Sequence, residues 1–289
     1  MFTGYEIPAN KIVMGTTLIQ ELKVETAAGI LPGRVVCSGA TEDTIVISDG
    51  LKPCIGWTGY ENADAEFMPT NMTTAFAVDA YAPVHSGAGA LIKMPSGLAA
   101  KTVATKGDLL LSWGGGLVVP GVNLGGRIAV KIPFSKSTTE VSTVTIPAGV
   151  VVRDCIIDVV TNEASGTIDV GTLSTASGDA DGFLEGESLT TAGIVQHNTY
   201  DSTAANNTTG ALLVESDITG DVAAGYYSIP TGYPIPSGGK VLTYTTSDTT
   251  ATVAGYIYLV VESPGIQVVG KAGNTVSAAS AAATVLVEI

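Results

Sequence analysis

The chain has 289 residues, 45% hydrophobic and only 14% charged, with 35 glycines and a formal net charge of −14. So much apolar content excludes wholesale disorder, and so acidic a chain lacks the clustered Lys and Arg that nucleic-acid binding needs. No apolar run approaches ~18 residues, so no membrane span is predicted, and Glu6, Pro8 and Asn10 interrupt any secretory leader pattern.

Strand follows strand along the first half. Thr17–Val24, Arg34–Ser38, Thr44–Ser48, Ile55–Gly59 and Ala75–Val84 alternate or are β-branched, and Gly, Pro, Asn or Asp bounds each. Ala90–Met94, Leu109–Trp113, Leu117–Val119 and Arg127–Ile132 continue the series, with Pro133 as a stop. Gly114-Gly115-Gly116 predicts a hairpin turn, and Lys106-Gly107-Asp108 a tight turn into the strand at Leu109.

Ser135–Thr139 is short and polar. Residues 1–136 carry 10 basic and 11 acidic side chains, whereas residues 137–289 carry 3 and 16. This charge step predicts a linker at 135–139. Beyond it come strands at Val141–Ile146, Val150–Val160, Gly166–Leu173, Leu212–Glu215, Gly225–Ile229, Lys240–Thr246 and Gly255–Val261. Arg153 and Asp154 interrupt the long second one and predict a bulge. Tyr256, Tyr258 and Val260 alternate with Ile257 and Leu259, so both faces of that strand are expected to be partly covered. After Pro264, Gly265–Val269 reads as one strand, Lys271–Ala283 as small and polar with little to pack, and Thr284–Ile289 as a β-prone end.

The expected fold class is therefore all-β, with no sustained helical period. A small β-barrel-like domain occupies 1–134 and a β-sandwich or jelly-roll domain 140–264. An extended C-terminal arm, 265–289, adds a strand to a neighbouring subunit or to the chain's own first domain.

Cys37, Cys54 and Cys155 are too few, and oddly numbered, for a disulfide framework, and their spacing suits no zinc site; they read as buried small hydrophobes. His85, with Asp79 before it and Ser86 after it, has no triad geometry and reads as an exposed loop histidine, as does His197. Trp57 and Trp113 read as core or barrel-end packing. The acidic stretch offers Asp179, Asp181, Glu185 and Glu187 as a calcium candidate, although no EF-hand spacing is present; the alternative is a solvated acidic turn over Phe183 and Leu184. No phosphate loop and no catalytic constellation emerge. The expectation is a non-enzymatic protein without a cofactor.

The order of elements in the first half carries a resemblance. Leu31-Pro32-Gly33-Arg34-Val35-Val36 leads through Asp49-Gly50 to Pro53-Cys54-Ile55-Gly56-Trp57-Thr58-Gly59-Tyr60. Tyr81-Ala82-Pro83-Val84-His85-Ser86-Gly87 and the run Val103–Leu109 follow. Over roughly Thr17–Pro133 this resembles the small β-barrel capsid cement, or head decoration, proteins of tailed viruses. Thr145–Gly149, Gly166–Thr172 and Asp179–Leu184 resemble jelly-roll modules of virion surface proteins. The resemblance implies a protein on the outer surface of an icosahedral head. It would bind the major capsid protein as a homo-oligomer, a trimer favoured, with no nucleic-acid or membrane partner and no catalytic residues. The near-neutral first domain is expected to face the shell and the acidic second domain to point outward. The alternative is a receptor- or carbohydrate-binding fibre or adhesin module; an enzyme acting on polysaccharide comes third.

Overall fold

The computed structural model describes residues 11–60, 69–195, 211–213, 232–247, 252–279 and 281–289. Among the described residues strand accounts for 54% and helix for 3%, the latter as short 3-10 turns, so the fold is all-β. It forms two compact units: residues 1–121 with 264–289, and residues 122–263.

In unit 1, β1 (Val13–Gly15) is followed by β2 (Leu18–Val24), β3 (Val35–Ser38), β4 (Thr44–Ile47), β5 (Cys54–Thr58) and β6 (Tyr81–Ser86). Strands β2 to β6 close into a five-stranded barrel in the order β2-β4-β3-β5-β6. Side chains alternate across a strand, so Val36 points into the barrel with Leu22, Val24, Ile45 and Val84. Its neighbour Val35 points the other way, into a second core. Phe76 and Ile30 exchange backbone hydrogen bonds of 2.9 and 3.1 Å, and both side chains are buried in the barrel. A buried Phe is worth roughly 1.5–3 kcal/mol, enough to fix this loop contact. The strand expected over Ala75–Val84 begins only at Tyr81, because Ala77–Ala80 form a turn in which Asp79 takes a φ of 68°.

Next come β7 (Ala90–Leu98), β8 (Thr102–Ala104), β9 (Leu109–Ser112) and β10 (Val118–Leu124). The triple glycine makes the β9–β10 hairpin turn. Gly116, at a φ of +66°, donates its N–H to Ser48 O at 2.9 Å; a Cβ there would sit 2.9 Å from Val35 O and 2.8 Å from Ile47, so the turn can rest on the barrel only with glycine.

Unit 2 holds β11 (Arg127–Ser135), β12 (Val141–Ile146), β13 (Val151–Thr161), β14 (Thr167–Thr172), β15 (Leu184–Ser188), β16 (Gly193–Val195), β17 (Tyr233–Pro234), β18 (Lys240–Thr246) and β19 (Ala254–Glu262). One sheet runs β11-β19-β13-β16, with β17 also on β13; the other runs β12-β18-β14-β15. The antiparallel pairings are nested: β11 with β19, β12 with β18, β13 with β16, β14 with β15. Successive pairs fall in alternate sheets, as when one long hairpin is rolled up, which is the jelly-roll topology. Phe134 of one sheet meets Tyr244 of the other edge-on at 6.2 Å between ring centres. The expected bulge is present between Val152 and Asp154. On β19 Ile257 and Leu259 are buried, and Tyr258 and Val260 of the opposite face are also covered, joining Ala129 in a separate cluster.

Two sequence expectations differ here. Strand β11 continues through Pro133 to Ser135, because a proline removes only one ladder bond and the pairing with β19 extends past it. The segment expected as an inter-domain linker, 135–139, lies inside unit 2 and carries the chain from one sheet to the other. Hydrogen bonds fix that crossing: the Ser137 Oγ side chain donates to Thr139 O, while the backbone Ser137 O accepts from Thr246 N and the backbone Ser135 N donates to the Tyr244 hydroxyl. Of the strands expected at Leu212–Glu215 and Gly225–Ile229, the described part, Ala211–Leu213, is a 3-10 turn, and the rest lies outside the described residues.

The chain then returns to unit 1 as β20 (Val268–Ala272), β21 (Val276–Ala278) and β22 (Ala283–Glu288). The segment read as an extended arm pairs with its own first unit: β22 with β7, β20 with β9 and β22, β21 with β8. The bridge Leu98–Val118 links β7 to β10. The pairings β7-β22-β20-β9-β10-β7 thus make a second closed circuit. Its core includes Ile92, Met94, Leu110, Val118, Ala272, Ala278, Val285 and Val287. Of the segment read as having little to pack, Ala272 and Ala278 are buried in this core, with Val276 and Ala283 packed against it.

Candidate functional site

Strand β2 pairs with β6 over Leu18–Lys23, but with β4 only at Lys23 and Val24. Its first half therefore extends past the start of β4. Leu18 and Ile19 on this projecting stretch are 73% and 60% exposed. Alternation sends these two aliphatics to opposite faces, so the half-paired stretch of β2 carries an exposed apolar side chain on each side of its backbone, which suits strand addition by a partner.

A second feature of unit 1 is a cavity of about 610 Å³, lined in part by Cys54, Trp57, Ser86, Leu109, Lys271 and Glu288. Its walls come from the outer face of the barrel and from the second circuit. Cys37, Cys54 and Cys155 are free thiols; Cys37 and Cys155 are buried, whereas Cys54 is only partly so.

His85 lies on β6 and is buried in place of the exposed loop position expected. Period-2 alternation turns it to the face opposite Val84, away from the barrel interior, where it pairs with Trp57 of β5, and its Nδ1 is 2.8 Å from Thr17 Oγ1. Asp79 is engaged by Lys23 at 2.7 Å, so Asp79, His85 and Ser86 do not assemble as a triad. Trp57 and Trp113 are buried. His197 lies outside the described residues.

The calcium candidates divide. Asp179 and Asp181 are hydrogen-bonded to each other, which raises the Asp179 pKa to about 6, helped by burial and by the Asp181 and Glu185 charges. Glu187 is buried, with Oε1 accepting from Ser188 N at 3.2 Å, while Glu185 is exposed. Gly186, at a φ of +67°, breaks the alternation between them and sends the two glutamates to different environments. Among the described residues no group of three or more His, Cys, Asp or Glu is placed to hold a metal ion. The loop itself is tied down by Lys240 Nζ, which donates to Ala176 O and Ser177 O at 3.0 Å each.

No protein-family model matches the chain, and no curated protein is significantly similar to it. The functional reading therefore rests on the residues themselves. Sequence reasoning missed the β2 surface, because Leu18 and Ile19 look like core residues until the register shows where β4 begins. It also missed the cavity, whose walls come from segments more than 200 residues apart.

Proposed function

We propose that this is a virion structural protein that cements or decorates the outer surface of an icosahedral head, as a homotrimer, by binding the major capsid protein through unit 1. The observation that carries the reading is the half-paired β2 with Leu18 and Ile19 exposed, on a barrel whose sequence order resembles capsid cement proteins. Charge supports the same assignment. Unit 1 carries 8 basic and 12 acidic side chains, a net of −4, and unit 2 carries 5 and 15, a net of −10. Pressing the more acidic unit against a shell costs more electrostatic work, while leaving it in solvent keeps crowded particles apart. The jelly roll is an architecture common in capsid and lectin domains, so it agrees with a surface role without choosing between them.

Electron microscopy of particles with and without the protein tests the reading. Density on the outer surface that disappears with the protein supports it, as do cross-links to the major capsid protein from Lys23, Lys52, Lys93 or Lys106 of unit 1. Density inside the shell, or no binding to particles together with glycan-array binding, replaces it with the carbohydrate-binding alternative.

A further inference from the structure

Cys37 of β3 and Cys54 of β5 occupy paired positions. The register shifts there: Val36 pairs with Gly56, yet Cys37 pairs with Cys54, leaving Ile55 as the extra residue of a bulge. Regular pairing would have put Ile55 opposite Cys37. The bulge instead turns Ile55 toward the barrel core and Cys54 toward the second core, on the same side as Trp57. Paired residues of antiparallel strands have Cα atoms ~4.5–5.5 Å apart, inside the ~4.4–6.8 Å that a disulfide spans. The Cys37 thiol donates to Lys52 O at 3.2 Å, while Cys54 Sγ lies 3.7 Å from Ser48 Oγ and 3.7 Å from Gly265 O.

Their proximity separates their acidities. The Cys54 pKa is lowered, chiefly by the neighbouring Cys37 thiol and with help from the Ser112 and Ser48 hydroxyls, against the opposing effect of burial. The Cys37 pKa is raised, first by the neighbouring Cys54 and then by burial and the Cys54 charge. Cys54 borders the cavity, and Cys37 is fully buried and not part of its wall. Access and thiolate character therefore fall on the same sulfur, the combination that governs thiol reactivity.

We propose that Cys54 and Cys37 form a redox-active dithiol, with Cys54 the nucleophile toward small disulfides entering the cavity and Cys37 the resolving thiol. In the first step the Cys54 thiolate attacks one sulfur of a disulfide RSSR; a protein–SR mixed disulfide forms, the R–S–S–R bond breaks and RS⁻ leaves. The Cys54 charge is then gone, and with it one of the effects that held the proton on Cys37. Cys37 gives that proton to the departing thiolate and attacks the Cys54 sulfur, expelling the second RS⁻, which takes a proton from solvent. The balance is two protein thiols and one RSSR to one Cys37–Cys54 disulfide and two RSH. Lys271 and Glu288, register partners on the cavity wall, set a positive and a negative group side by side. That suits a zwitterionic disulfide such as oxidised glutathione.

The folded protein is incubated with oxidised glutathione at pH 7, quenched with acid and alkylating agent, digested and mapped by mass spectrometry over time. The expected course is transient glutathionylation of Cys54, then a Cys37–Cys54 disulfide, with Cys155, which is buried and raised in pKa by burial, alkylated as a free thiol throughout. Cys37→Ser is expected to stop at glutathionylated Cys54, and Cys54→Ser to leave Cys37 free. Persistent glutathionylated Cys54 in the wild type overturns the resolving role of Cys37. Reaction first at Cys155, or no reaction until urea unfolds the chain, overturns the proposal outright. Where a serine variant loses its far-UV circular dichroism, the wild-type time course decides alone.

Discussion

Val285 and Met94 face each other across the antiparallel pairing of β22 with β7, and neither side chain reaches solvent. The last segment of the chain thus supplies one wall of the unit 1 core. Met94→Ala is expected to destabilise unit 1 by about 2–5 kcal/mol, the usual cost of emptying a buried large side chain. Deleting residues 265–289 is expected to abolish cooperative unfolding of unit 1. Urea unfolding followed by Trp57 and Trp113 fluorescence reads both; unchanged melting of the truncated chain would refute this account of the core.

Arg34 is buried and donates from Nη1 to Pro95 O at 2.7 Å, so burial lowers its pKa. Arg34→Ala leaves that carbonyl short of a donor and removes the packing of the side-chain stem. A loss of about 1–3 kcal/mol is expected. Chemical denaturation checks it, and a change below about 0.5 kcal/mol, as for an ordinary surface site, would contradict it.

Asp179 keeps its proton up to about pH 6, above the ordinary 3.8. A carboxyl whose folded pKa is raised adds stability that is fully present below pH ~3.8 and fades as pH rises through about 6. This group therefore favours the folded state more at pH 5 than at pH 7. Asp181→Asn removes the neighbouring charge and is expected to lower the Asp179 pKa and flatten that part of the stability profile. NMR titration of the Asp179 carboxyl carbon reads the shift directly; an ordinary value in the wild type would exclude the pairing.

Leu18 and Ile19 contribute little to the core because they are exposed. Replacing both with Lys is expected to change stability by less than about 1 kcal/mol and, on the proposed function, to abolish attachment to capsids. Co-sedimentation with particles distinguishes the two effects: retained binding at wild-type occupancy would remove β2 from the proposed docking face.

Local patterns were legible wherever the physics is local. The triple-glycine hairpin, the Arg153–Asp154 bulge and the two-faced β19 follow from turn chemistry and period-2 alternation, and each is present. Long-range partnership was not legible. Ser135–Thr139 looks like a linker because its hydroxyls, which cap a crossing between sheets, are the same residues that populate flexible joints. Residues 271–283 look unable to pack because nothing local shows that β7, β8 and β9 provide a closely fitting wall. The cysteines read as inert hydrophobes, which fits Cys155; only the bulge at Ile55 sets Cys54 against Cys37.

Unit 1 is assembled from residues on both sides of unit 2, since the strand circuit that starts at β7 is completed by β20 and β22. On the ribosome, where domains ordinarily fold in the order they emerge, this arrangement reverses the order. The nested hairpins of 122–263 can close before residues 264–289 are free to pair, and the second circuit of unit 1 must wait with an incomplete core. During that interval Ile92, Met94 and Leu98 lack the β22 wall, so the nascent chain exposes an apolar strand edge that β22 must reach before another chain does.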